Sequence, residues 1–342
     1  MIRVGLIGYG YWGTNLARNF AEAAGCDLAA VSDLGSERLS LAARRFPGAV
    51  TTRDYRDLLR DPGIDAVAIA TPVSTHFELG MEALGAGKHL LVEKPLAATS
   101  EQARRLIDRA EASRLTLMVD HTFVFTGAVR KIRDMVSGDA IGDVHYYDSV
   151  RVNLGLFQHD VDVIWDLAIH DLSIMDCVLP ARPRAVSATG ISHVPNGIAN
   201  IAYLTMFFDG SSIAHVHVSW VSPVKIRRTL IGGSRKMILY DDLEPSEKIK
   251  VYDKGFTVSN DPENIYRMLI GYRAGDMYSP QVDPGEALAG MVSHFIDCIE
   301  AGAAPITGGE AGLWMVRTLE ASTFSLKNQG RPVDLENGKL AS

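Results

Sequence analysis

A chain of 342 residues with 47% hydrophobic content is long enough for two packed domains, and its net charge of −7 argues against a nucleic-acid surface, which needs basic patches. No run of about 18 apolar residues appears, so no membrane-spanning helix is expected. Cys26, Cys177 and Cys298 are odd in number, far apart and without C-x-x-C spacing, and the chain enters an apolar strand at once; reduced thiols in a cytoplasmic protein without a signal peptide are the expectation.

The first element is the apolar strand Ile2–Ile7, followed by Gly8-Tyr9-Gly10-Tyr11-Trp12-Gly13. Three glycines at G-x-G-x-x-G spacing, between a strand and a helical stripe (Leu16, Phe20) that opens at Thr14, have separate tasks in a dinucleotide fold. Gly8 permits the tight turn, Gly10 lets backbone approach a pyrophosphate, and Gly13 lets the helix pack on the strand. Tyr11 and Trp12 lie in the same loop and join it as cofactor contacts; Trp12 fits packing near the nicotinamide and plain core packing equally. The second apolar run, Leu28–Ser32, ends at Asp33, twenty residues beyond Gly13. A carboxylate there accepts hydrogen bonds from ribose hydroxyls and repels a 2′-phosphate, which favours NAD over NADP. The competing role for Asp33 is a cap on the helix Ser36–Phe46.

Helix and strand then alternate. The runs Ala66–Ala70 and His89–Val92 end at Thr71-Pro72 and Glu93-Lys94-Pro95, Thr99 and Gln102 form a possible capping box, and Leu115–Val119 closes the series. Alternation of this kind implies right-handed crossovers and a doubly wound parallel sheet, an α/β fold whose ligands bind beyond the carboxyl ends of the strands. Gly8–Gly13, Asp33, Thr71-Pro72 and Glu93-Lys94 should therefore line one rim, with His76 at the start of the next helix as either a cofactor contact or a structural residue.

Glu93-Lys94-Pro95 after a strand, the upstream glycine loop and Ala70-Thr71-Pro72-x-x-x-His76 resemble the Gfo/Idh/MocA family, named for glucose–fructose oxidoreductase and inositol dehydrogenase. The resemblance spans the chain from Gly8 to Gly330-Arg331-Pro332-Val333. It implies that Lys94 lies beside the nicotinamide and the reacting carbon, and that Pro95 is cis. A lysine near a cationic nicotinamide and away from water has its charged form disfavoured, so it can bond a substrate hydroxyl and relay a proton. An exposed lysine paired with Glu93 is the plainer alternative.

The alternation stops near Asp120, which divides a Rossmann domain, 1–120, from a second domain, 121–342, built on a large, mostly antiparallel sheet with flanking helices. Phe125-Thr126-Gly127 departs from the F-N-P of many relatives. A strand from Val144 to Val152 leads into the loop Asn153–His159, and a helix follows carrying Ile164, Leu167 and Leu172 toward a core. Asp166 and His170 stand at i and i+4 on one helix face, where a carboxylate can orient an imidazole as a general base. The resemblance places the family's D-x-x-x-H here and implies that His170 takes the substrate proton, with Ile169 replacing the usual Pro. Two other readings are a metal site, drawing on His159, Asp160, Asp162, Asp166, His170 and Asp171, and a capped helix with a surface ion pair. No third ligand at diagnostic spacing joins a His pair, so no metal is expected.

Asp209-Gly210 between apolar runs marks a hairpin, and a meander continues to Tyr252. His215 and His217 tempt a metal assignment, which a half-polar sheet face explains better. Ile265–Val282 reads as irregular, and the last two helices, around Leu288–Ile299 and Leu313–Leu319, read as core. Arg151, Asn153 and Arg273 are candidate substrate contacts, Arg273 on a loop. The expected active site lies between the domains, with Lys94 on one side and Asp166 and His170 on the other. The resemblance implies an NAD-dependent dehydrogenase that oxidises a secondary hydroxyl, the 3-hydroxyl, of a nucleotide sugar or aminoglycoside-type glycoside, and a homodimer or homotetramer formed through the open sheet. A ketosugar reductase, an NAD-dependent glycosidase and a non-catalytic NAD-binding regulator are the alternatives within the family.

Overall fold

The computed structural model describes residues 1–155, 161–195, 197–258 and 270–341. They form two compact units, Met1–Thr126 with Gly285–Glu320, and Gly127–Pro284 with Ala321–Ser342.

The first unit is organised by six parallel strands: β1 (Ile2–Ile7), β2 (Cys26–Ser32), β3 (Val50–Thr52), β4 (Ala66–Ile69), β5 (His89–Glu93) and β6 (Leu117–Asp120). Their order is β3-β2-β1-β4-β5-β6, the doubly wound order that reverses between β1 and β4. Helices α1 (Tyr11–Glu22), α2 (Ser36–Arg45), α3 (Arg56–Arg60), α4 (Val73–Gly85) and α5 (Ser100–Ser113) connect them. Sheets covered on both faces need continuous apolar strands. Val67, Ala68, Ile69, Leu90, Leu91 and Val92 are all fully enclosed. Thr99 caps α5 by accepting from Gln102 N at 3.2 Å, half of the expected capping box. Helix α1 begins at Tyr11, three residues before the apolar stripe suggested; Gly10 is its cap and supplies no side-chain bond.

The second unit opens with α6 (Gly127–Ser137) and β7 (Val144–Leu154). A π-turn, Ile164–Ala168, then leads into α7 (Ile169–Val178). Strands β8 (Ala185–Ile191), β9 (Ile201–Phe207), β10 (Ile213–Ser219), β11 (Val221–Gly233), β12 (Met237–Asp241) and β13 (Ile249–Tyr252) follow. After them come β14 (Gly255–Val258), β15 (Ile270–Arg273) and β16 (Met277–Tyr278). Part of the stretch expected to be irregular therefore pairs: β15 with β14, and β16 with β13. A nine-stranded sheet has the order β16-β13-β12-β11-β7-β10-β9-β8-β17, with β17 at Val333–Asp334. It is antiparallel except where β10 runs parallel to β7. The expected hairpin at Asp209-Gly210 joins β9 and β10, with Phe207 opposite Ile213. Ala202, Leu204, Met206, Ala214, Val216 and Val218 face inward, whereas His215 and His217 stand on the other face, where His217 stacks on Tyr203 at 4.3 Å.

Helix α8 (Ala287–Ala301) returns the chain to the first unit, although the sequence assigned this stretch to the second domain. Its stripe of Leu288, Met291, Phe295 and Ile296 is buried there, and Arg18 of α1 holds Glu286, the residue that caps it, at 2.5 Å. Helix α9 (Gly309–Lys327) follows. Among the described residues no helix is long and apolar enough to cross a membrane.

Candidate active site

The carboxyl ends of β1, β2 and β4 surround a cavity of about 600 Å³ lined by Gly8, Gly10, Asp33, Arg38, Arg53, Thr71 and Pro72 among others. Gly8 has φ +94°, and a Cβ on it would meet Ala70 O at 2.5 Å. A Cβ on Gly13 would lie 2.0 Å from Gly8 O, so the helix can approach the turn only without one. Around Gly10 nothing stands within 4 Å of that position, which leaves room for a pyrophosphate against free N–H groups of the first turn of α1. Asp33 is 6% exposed; Oδ2 accepts from Tyr9 N and Oδ1 from Gly35 N, both at 2.7 Å. Its carboxylate is thus fixed at the cavity wall, and Arg38 Nη1 stands 3.5 Å from Oδ2. These residues fit an adenosine diphosphate half of a dinucleotide. Tyr11 is 88% exposed.

Farther along the same rim, the Lys94–Pro95 bond is cis. His76 is buried and lies with Nδ1 2.9 Å from Pro95 O and Nε2 2.8 Å from Thr71 O. Both neighbours are main-chain oxygens, so a neutral ring donates to one of them and only lies close to the other, and His76 is held between the Thr71-Pro72 turn and the Lys94-Pro95 turn. Burial lowers its ionisation, and Lys94 adds to that.

Glu93 and Asp120 sit opposite each other in register at the ends of β5 and β6. Asp120 is enclosed; Trp12 Nε1 donates to Oδ2 at 2.6 Å and Thr122 Oγ1 donates to Oδ1. Trp12 thus anchors on a carboxylate of the rim. Glu93 Oε2 is sealed from solvent and has no hydrogen-bond partner. Burial, then the nearby Asp120 charge, hold the Glu93 carboxyl well above the usual carboxylate range. Burial also raises Asp120, against the donors Thr122 and Trp12. His121 is buried with both ring nitrogens unpartnered, and burial followed by Lys94 pushes it down to about 3. Sequence reasoning missed Asp120 and His121; the signal was two acidic residues each closing a buried run.

In the second unit, Asp166 lies in the π-turn and His170 in the first turn of α7. Turns of this kind gather at functional sites. Asp162 caps the π-turn, Oδ1 accepting from Ile164 N at 3.0 Å and Trp165 N at 3.1 Å. Trp220, 1% exposed, donates Nε1 to Asp166 Oδ2 at 3.0 Å and so fixes that carboxylate. Nothing local in the sequence points to Trp220.

Arg151, expected at the substrate, is instead buried, with Nε 2.6 Å from Asp171 Oδ2. Alternation along β7 puts Asn153 on the same sheet face, half-buried. Arg273 is not on an open loop: it ends β15, and its Nη1 holds Asp253 Oδ1 at 2.5 Å in an exposed pair. The loop 156–160, with His159 and Asp160, lies outside the described residues. Among the described residues no three His, Cys, Asp or Glu side chains gather as a metal site.

Residues 2–121 match the model of the GFO/IDH/MocA oxidoreductase family, NAD-binding Rossmann fold, and residues 129–239 match that of the GFO/IDH/MocA C-terminal domain. The UDP-N-acetylglucosamine 3-dehydrogenase of Acidithiobacillus ferrooxidans is 31% identical over 262 residues, 74% of this chain and 78% of that one. Its solved structure superposes with a TM-score of 0.81 at 26% identity, covering 96% of this chain and 98% of that one. The scyllo-inositol 2-dehydrogenase (NAD(+)) of Bacillus subtilis is 26% identical over 348 residues, 98% of this chain and 96% of that one.

Proposed function

Since the chain belongs to the Gfo/Idh/MocA family and is an NAD(P)-dependent sugar dehydrogenase, we propose that it oxidises the 3-hydroxyl of a sugar carried in a nucleotide sugar or a related glycoside, with NAD as acceptor. The observation that carries the cofactor half is the Asp33 carboxylate, fixed by two main-chain donors at the wall of the dinucleotide cavity. The substrate half is supported by the relative that acts as a UDP-N-acetylglucosamine 3-dehydrogenase.

When bound, the nicotinamide supplies the hydride acceptor. Gly8, Gly10 and Gly13 shape the turn that takes the pyrophosphate, and Thr71 and Pro72 wall the cavity. Lys94 holds the substrate oxygen. His170 takes the hydroxyl proton, and Asp166, steadied by Trp220, sets the charge beside that base. Fixing these groups in advance contributes orientation that a free reaction lacks.

Purified protein given NAD and a panel of nucleotide sugars, inositols and glycosides should produce NADH with a nucleotide sugar, and the product should be a 3-ketone by mass spectrometry after borodeuteride trapping. Turnover only with a ketosugar and reduced cofactor would make the chain a reductase. The outer face of the large sheet, with Tyr203 and Ile213 exposed, is proposed to pair copies into a dimer or tetramer; a monomer mass by light scattering would end that proposal.

A further inference from the structure

The dinucleotide cavity has four charged side chains on its wall: Asp33, Arg38, Arg53 and Glu78. Two of them are already engaged. Asp33 and Arg38 form an ion pair at 3.5 Å, and both Asp33 oxygens also accept from main chain. Arg53, just beyond β3, and Glu78, on the second turn of α4, are exposed, and among the described residues neither has a hydrogen bond or an ion pair. They do not pair with each other either, although both face the same space. Leu34, next to Asp33 on this wall, is an apolar side chain left 79% exposed. An apolar surface flanked by a few uncommitted polar groups is what holds and orients a flat ligand.

With the pyrophosphate at Gly8 and Gly10 and the ribose at Asp33, this part of the wall is left for the base. Adenine joined to ribose has a single kind of donor, its 6-amino group; its ring nitrogens N1, N3 and N7 accept. Hypoxanthine has an oxygen in place of that amine. A carboxylate only accepts and a guanidinium only donates, so Glu78 matches the amine and Arg53 does not. Thr75, the hydroxyl on the same face of α4, is occupied: Oγ1 donates to Pro72 O at 2.7 Å and lies 2.7 Å from Thr71 Oγ1. We propose that Glu78 reads the 6-amino group of adenine, so that the cavity selects an adenine dinucleotide over its 6-oxo analogue, and that Arg53 stacks on the ring face, which both purines share. Glu78 thus sets the identity of the base as Asp33 sets that of the ribose. The inference deepens the cofactor half of the proposed function and rests on the dinucleotide reading of this cavity; it is independent of the sugar.

Binding to the full chain, followed by fluorescence titration without any sugar, tests it. The probes are NADH and deamino-NADH, which turns a 6-oxo acceptor toward Glu78. NADH should bind about 10-fold or more tighter, the scale of one hydrogen bond to a charged group. Glu78→Gln replaces the carboxylate by an amide that both donates and accepts, so it should weaken NADH, strengthen deamino-NADH and bring the two within about 3-fold of each other. Arg53→Ala should weaken both by the same factor and leave their ratio as in the wild type. Equal binding of the two by the wild type, or a preference that survives Glu78→Gln, overturns the role of Glu78. A change in the ratio in Arg53→Ala overturns the stacking role. Failure of the wild type to bind either dinucleotide is a different result: it overturns the cofactor reading itself, and this inference with it.

Discussion

Arg151 Nε lies 2.6 Å from Asp171 Oδ2, and each side chain is only 3% exposed. Tyr147 OH donates to the main-chain oxygen of the same aspartate at 3.0 Å. Strand β7 is thereby tied to the first turn of α7 at the residue next to His170. Breaking such a pair by removing one partner leaves a buried charge alone and costs about 3–5 kcal/mol. Arg151→Ala should lower Tm by roughly 10 °C. Arg151→Met combined with Asp171→Leu, which removes both charges, should recover most of that loss. An unchanged Tm with a raised KM for the sugar would return Arg151 to the substrate instead.

Lys94→Ala and His170→Ala should each lower kcat by on the order of 100-fold or more, with NAD affinity nearly intact, because neither residue lines the adenosine cavity. Stopped-flow hydride transfer and fluorescence titration with NADH separate the two quantities. Turnover retained in either variant removes that residue from the reaction.

The proposed choice of NAD rests on one carboxylate set among cations. Arg38 and Arg53 both line the cavity that Asp33 closes. Asp33→Ser removes the charge that repels a 2′-phosphate and releases Arg38 from its contact. The ratio of kcat/KM for NAD over NADP should fall by about 10-fold to 100-fold, the scale of one charge-assisted contact. A ratio that does not move would assign the choice to another residue.

The rim also sets how stability depends on pH. His121 is held at about 3, below its ordinary 6.5, so the unfolded ring binds a proton that the folded one refuses. That stability is full above 6.5 and is lost as pH falls toward 3, by up to roughly 1.4 kcal/mol per pH unit. Glu93 acts in the opposite sense: burial holds its carboxyl protonated above the ordinary range, which favours the folded state below the ordinary 4.5 and withdraws that support as pH rises. Thermal melts across pH should show His121→Leu flattening the acid side and Glu93→Gln flattening the alkaline side. Slopes identical to wild type in both would remove these groups from the linkage.

The parallel sheet was legible because each strand is a short apolar run closed by glycine, an acid or proline, and the helical stripes between fixed its hand. The antiparallel half followed from alternation and the Asp209-Gly210 turn. Other features have no local signature. Tyr11 and Trp12 continue no apolar stripe, and Gly10 caps α1 without a side chain, so the helix start was invisible. Positions 166 and 170 share a face in a π-turn much as in an α-helix, so their spacing could not reveal the extra residue. Trp220 reaches Asp166 across 54 residues of chain. Alternation says which face Arg151 takes, not whether a carboxylate or a ligand waits there. The stripe of α8 fits any core, and only its contacts with α1 and the turn Thr122–Phe125 name the right one.

The single parallel pairing among the described strands of the large sheet, β7 with β10, has a consequence for assembly. Parallel neighbours need a long connection, and this one carries the π-turn, α7, β8 and β9. Asp166 and His170 therefore ride inside a loop that closes only when β10 docks, long after β7 has left the ribosome. Contacts so distant along the chain form slowly. Activity should consequently be the last property regained on dilution from denaturant, trailing the recovery of helical signal, and a chain released before β10 would hold both residues with no sheet to stand them on.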